Sequence, residues 1–141
     1  VRAVLQRASR ASVTVDGKVT ASFDRQGIVA LVGVAKGDGP AQAEVIARKI
    51  AELRILDDQA SVADVGAPVI VVSQFTLYAN VAKGRRPSWN GAAPADEAEP
   101  LITEVIDALR ARDIEVGSGV FGAHMDVELV GDGPVTLIVD S

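Results

Sequence analysis

Asp16-Gly17 divides the stretch ASVTVDGKVTASF into two arms of alternating apolar residues, and few arrangements accommodate that pattern. A two-residue turn between strands needs φ > 0, which Asp-Gly tolerates, and the alternation turns one face of each arm toward a core. The chain therefore opens as an antiparallel β-hairpin. The next segment, GIVALVGVA at 27–35, is apolar almost throughout, the pattern of a strand buried on both faces. At Pro40 the period changes. AQAEVIARKIAEL places Ile46, Ile50 and Leu53 at i, i+4 and i+7 with charges between them, and proline suits the first helical position, so an amphipathic helix follows.

A short loop over 57–68 leads into PVIVVSQFTLYA, which reads as an apolar strand with polar residues in its middle. Alternation assigns Gln74 and Thr76 to one face of it, and Ser73, Phe75 and Leu77 to the other. NVAKGRRPSWNGAAPADEAE has no period and reads as a long loop, broken further at Pro100, whose acidic end suits a helix start. LITEVIDALRAR pairs Leu101 with Val105 and Ile102 with Ile106, then reaches Leu109, as a second amphipathic helix does. Two strands, 124–130 and 135–139, close the chain through Gly131-Asp132-Gly133-Pro134. The expected fold is α/β: a compact, single-domain layered sandwich over 1–141, with a mixed β-sheet and two main helices on one side. At 141 residues and 48% hydrophobic composition, a core can form without metal or disulfide.

The chemistry open to the chain is limited. It has no cysteine, which excludes disulfides and thiolate nucleophiles. Its one histidine, His124, begins an alternating strand and reads more readily as a surface or edge residue than as a general base. No ligand spacing points to zinc, so neither metal nor cofactor is expected. No leader pattern opens the chain and no apolar run approaches the ~18 residues of a membrane span, so a cytoplasmic protein without membrane partners is expected. A net charge of −5 argues weakly against coating nucleic acid by bulk electrostatics and leaves local recognition of a nucleic-acid end open.

Three stretches admit two readings each. Ser73-Gln74-Phe75-Thr76 is either an exposed strand end with satisfied hydroxyls, or a pocket floor whose hydroxyls and N–H groups hold a carbonyl or its oxyanion. KGRRPSW at 83–89 is either a solvated loop with Trp89 covering core, or a loop whose cations meet phosphate while the indole offers a stacking surface. Gly133-Pro134 is by default a trans turn, yet it presents carbonyls with little side chain to obstruct them.

Taken together, RAVLQRASRASVTVDG, LVGVAKGD, ARKIAELRI, VVSQFTLYA, KGRRPSW, FGAHMDVEL and DGPVTLIVDS resemble, in order and spacing, the D-aminoacyl-tRNA deacylases of bacteria and eukaryotes. The resemblance spans essentially the whole chain, with SQFT and the terminal GPVT as its signature motifs. It implies a cytoplasmic homodimer that hydrolyses the ester between a D-amino acid and the 3′-terminal adenosine of tRNA. The site would lie at the subunit interface, SQFT of one subunit meeting GPVT of the other. Ser73, Gln74, Phe75 and Thr76 would form the catalytic strand, with N–H groups near Phe75 and Thr76 facing the oxyanion. Thr76 has nothing to deprotonate it, and the resemblance assigns water activation to the adenosine 2′-hydroxyl. Gly133 and Pro134, joined by a cis bond, would exclude L side chains, so that mischarged glycine passes. Arg7 would orient them, and Met125 would contact substrate. A tRNA 3′-end binding module without catalysis, or a structural dimer without substrate, are the rival readings. The chain departs from the family pattern at Gly131, usually Asn, at Trp89, usually Phe, and in a short loop at 57–64.

Overall fold

A computed structural model describes residues 1–141. The Asp16-Gly17 turn joins β1 (Arg2–Val15) to β2 (Lys18–Phe23), with Asp16 at φ 50° and Gly17 at φ 75° as such a turn requires. β1 is long enough to serve three partners, all antiparallel. It pairs with β2 through its second half, with β3 (Gly27–Gly33) through its first, and along its other edge with β6 (Asp126–Asp140). β4 (Val69–Ser73) and β5 (Val116–Ser118) extend the sheet in parallel beyond β3, giving the order β2-β1-β3-β4-β5. The mixed sheet curls until its far edges approach: a Cβ added to Gly117 of β5 would lie 2.7 Å from the Ala21 methyl of β2. The result is a nearly closed, barrel-like sheet.

β3 and β4 are buried on both faces, and their alternation divides the core. Ile28, Ala30, Val32, Val69 and Val71 join the helices in a cluster of 25 buried residues. Val29, Ile70 and Val72 face the opposite way, into a cluster of 8 built largely of Ala and Val, small enough for the inside of the curl. α1 (Pro40–Glu52) and α3 (Ala95–Arg110) both cover the first face, α1 through Ile46 and Ile50, α3 through Leu101, Ile102, Val105 and Leu109. Burial of one such Leu or Ile contributes roughly 1.5–3 kcal/mol.

Four local expectations change. The loop at 57–68 contains a 3₁₀ turn (Asp57–Gln59) and a one-turn helix, α2 (Val62–Val65), capped by reciprocal Ser61–Asp64 hydrogen bonds. Pro100 falls inside α3; its missing N–H leaves only the carbonyl of exposed Asp96 for water to satisfy. β4 ends at Ser73, so Gln74 to Thr76 do not belong to a strand. The two closing strands are one. β6 keeps β1 as its partner on both sides of the glycine-proline cluster, which leaves the ladder as a bulge: between the pairs Gln6–Thr136 and Ala8–Gly131, β1 advances two residues and β6 five.

Candidate active site

β4 delivers its last residue, Ser73, opposite Val32 of β3. There the ladder stops, because the Gln74 N–H donates to the Val32 carbonyl (2.8 Å) and the chain winds into a 3₁₀ turn over Phe75–Tyr78. Gly33 makes room for this turn: a Cβ there would sit 2.7 Å from the Gln74 carbonyl oxygen and 3.2 Å from Leu77 Cβ. A 3₁₀ turn leaves its first N–H groups without partners of its own. The Leu77 N–H reaches back to the Gln74 carbonyl, whereas those of Phe75 and Thr76 donate to no protein acceptor. Two adjacent, unpartnered N–H groups are a ready anion cradle.

Beside the turn lies a pocket of about 550 Å³, walled by the turn, the start of α3 and residues 121–127. Fourteen of its 19 lining residues are hydrophobic, so it suits a flat apolar body better than a charged one. Ser73, Gln74, Phe75 and Met125 line it. Thr76 does not; its hydroxyl accepts a hydrogen bond from the Gln74 amide and steadies that side chain. Phe75 and Trp89, both partly exposed, meet edge to face at the rim with centroids 5.2 Å apart. Trp89 therefore covers a pocket rather than the core. His124 stands on the same rim with its side chain 94% exposed, 3.6 Å from Asp126. Burial, and then the charge of Asp38, push the nearby Tyr78 hydroxyl above its ordinary value, so it stays protonated at neutral pH.

A second locus is the β6 bulge. The Gly133–Pro134 peptide is cis, and both residues are exposed. Asp132, just before them, is held from two sides. Arg7 Nε donates to its carbonyl (3.0 Å) while Arg7 Nη1 donates to the Ile55 carbonyl (2.9 Å). The Gln26 amide donates to the Asp132 carboxylate (2.7 Å) and accepts from the Asp57 N–H (3.0 Å). Gly133 sits at φ 128°, where L side chains are strained, and an added Cβ would meet Arg7 Nη2 and Val135 at 3.0 Å.

The two loci lie at opposite ends of the sheet. Arg7 pairs with Ile28 and Ser73 with Val32, about 13 Å apart along the strands, and β6 lies three strand spacings, about 14 Å, from β4.

A model of the family described as D-Tyr-tRNA(Tyr) deacylase matches residues 4–140. The chain belongs to that family. It is 57% identical over its full length to the whole D-aminoacyl-tRNA deacylase of Kineococcus radiotolerans. To that of Mycolicibacterium smegmatis it is 58% identical, over 99% of each chain. Among solved structures it is similar to a c-Myc DNA unwinding element binding protein, with a TM-score of 0.91 and 37% identity over 100% of this chain and 99% of the other. A probable eukaryotic D-amino acid tRNA deacylase shares the fold at TM-score 0.81 and 15% identity, over 99% of this chain and 98% of the other.

Within this deacylase-family chain, Ser73, Gln74, Phe75 and Met125 come together, and so do Arg7, Gly133 and Pro134, in a separate place. Gly33, Gln26 and Phe121 also serve these loci and were not singled out by sequence. A glycine inside the continuous apolar run GIVALVGVA is a usable signal of close backbone approach. Gln26, in the turn DRQG, carries none.

Proposed function

We propose that this chain hydrolyses the ester of D-aminoacyl-tRNA, releasing tRNA and the D-amino acid, and spares L-aminoacyl-tRNA. The observation that carries the reading is the pair of free N–H groups of Phe75 and Thr76 beside an apolar, aromatic-rimmed pocket, in a chain matched by the family along its length. The pocket takes the 3′-terminal adenosine, its base between apolar walls and the Phe75–Trp89 rim. The ester carbonyl then lies against the two N–H groups, which stabilise the oxyanion as water adds; one such donor is worth about 3–4 kcal/mol. The leaving group is the ribose 3′-oxygen. Water activation falls to the adenosine 2′-hydroxyl, since Thr76 Oγ1 is engaged by Gln74 and no base adjoins it.

Selection by chirality needs a second wall, and the Gly133-Pro134 segment supplies it from a partner subunit. Its distance from SQFT within one chain supports this arrangement. So does β6, a 15-residue edge strand paired on one side only, which carries Val127, Val130 and Ile138 exposed, Ile138 at 71%. A homodimer in the cytoplasm, one structural domain per chain, is the form in which the site is complete. Backbone carbonyls set against the α-carbon leave no space for an L side chain; hydrogen passes on either hand, so mischarged glycyl-tRNA is also a substrate.

The test is hydrolysis of D-Tyr-tRNA and L-Tyr-tRNA by the folded protein. The D-ester is expected to be cleaved at least about a hundredfold faster. Equal cleavage of both, or cleavage of neither, would falsify the proposal; binding of the tRNA end without turnover would support a non-catalytic module instead.

A further inference from the structure

Residues 81–87 form a projecting loop whose neck is closed by two backbone hydrogen bonds between Asn80 and Ser88, at 2.8 and 2.9 Å. The Asn80 side chain stiffens the ascending limb by accepting from the Ala82 N–H, and Gly84 turns the tip at φ 69°. Lys83, Arg85 and Arg86 crowd the tip, all exposed. None of these three enters an ion pair within the chain. In a chain of net charge −5, three uncompensated cations within four residues are a concentrated positive feature. The loop runs directly into Trp89, which packs on Phe75 at the pocket rim. Cations and pocket are thus joined by one rigid neck.

We infer that this loop is the docking point for the sugar-phosphate backbone of the tRNA acceptor end, an inference that rests on the deacylase reading of the neighbouring pocket. A terminal nucleotide seated in the pocket brings its preceding phosphates to the rim. Arg85 and Arg86 can grip phosphate oxygens through two parallel N–H donors, and Lys83 acts as a point charge. Such contacts place the strand without reading its sequence.

The experiment compares wild type with the triple variant Lys83→Ala, Arg85→Ala, Arg86→Ala and with the charge-conserving pair Arg85→Lys, Arg86→Lys. Each is assayed on D-Tyr-tRNA, on 3′-D-tyrosyl-adenosine, which lacks the backbone, and for binding of an uncharged acceptor-stem minihelix. At about 0.15 M salt the triple variant is expected to raise KM for the tRNA at least about tenfold and to lower the salt slope of minihelix binding by about 2. Its hydrolysis of 3′-D-tyrosyl-adenosine should match wild type, and the lysine pair should retain most tRNA affinity. An equal loss on both substrates would show that the loop acts by shaping the rim, and an unchanged salt slope would show that it meets no phosphate; either result overturns the inference. If wild type hydrolyses neither ester, the deacylase reading fails by itself, and the minihelix salt slope still decides the loop.

Discussion

Arg7 shows most clearly how one side chain sets a remote piece of geometry. Its guanidinium is largely buried, and its two donors go to carbonyls from different segments, Asp132 and Ile55. A lysine has one nitrogen and cannot hold both in a plane. Arg7→Lys is therefore expected to leave one carbonyl short of its partner, costing about 1–3 kcal/mol of stability. It should also lower the ratio of D- to L-aminoacyl-tRNA hydrolysis by about tenfold, a loss of about 1.4 kcal/mol of discrimination. Thermal unfolding and the two kcat/KM values measure these effects; a variant that keeps full selectivity would show that the bulge holds its own shape. Ser73, Gln74, Phe75, Gly133 and Pro134 stand out in the sequence because they sit in two compact motifs, whereas Arg7 is marked only by the resemblance. Gln26 is marked by neither, since its role is to bridge Asp57 and Asp132, residues that only the folded sheet brings near it.

At the level of elements, alternation identified the hairpin and 3.6 periodicity identified α1 and α3, since each pattern is produced by a face that must be buried. It misled where backbone geometry departs from pattern. VVSQFTLYA keeps an apolar rhythm past Ser73, but the Gln74 N–H is diverted to Val32 and the strand becomes a turn. The Gly-Asp-Gly-Pro cluster reads as a connection between strands, whereas both flanks pair with β1 and the cluster is extruded. β5, with three residues, is too short to show a period. The diverted turn depends on Gly33. Gly33→Ala would force its methyl against the Gln74 carbonyl, moving the very segment that presents the free N–H groups. The expected outcome is a modest stability loss, about 1–3 kcal/mol. kcat should fall more steeply, at least about tenfold, because an oxyanion donor displaced by a fraction of an ångström stabilises little. Equal effects on kcat and stability, read by kinetics and denaturant unfolding, would mean that the turn is only structural.

The molecule as a whole places its two candidate loci at different ends of the curled sheet. One end of the curled sheet holds the pocket, the aromatic rim and the basic loop; the other holds the extruded Gly133-Pro134 segment and the network that steadies it. On the proposed reading, a single site is completed from these parts by two chains. The exposed apolar residues of β6 are the surface that this proposed pairing would use. In the sequence such a shared site is implied only by resemblance, because separation across strands is a property of topology that no local pattern records.

The central claim, a site shared between subunits, is tested by mixing two variants that fail in different ways. Gln74→Ala/Phe75→Ala removes the pocket half and is expected to hydrolyse neither ester, whereas Gly133→Ala keeps the pocket, loses the selecting half and is expected to cleave L-Tyr-tRNA as well as D-Tyr-tRNA. After verified subunit exchange in equal amounts, half of the intact pockets face an unaltered Gly133-Pro134 segment, so L-Tyr-tRNA hydrolysis should fall to about half while D-Tyr-tRNA hydrolysis is kept. L-Tyr-tRNA hydrolysis that stays at the level of the unmixed Gly133→Ala variant would contradict the account.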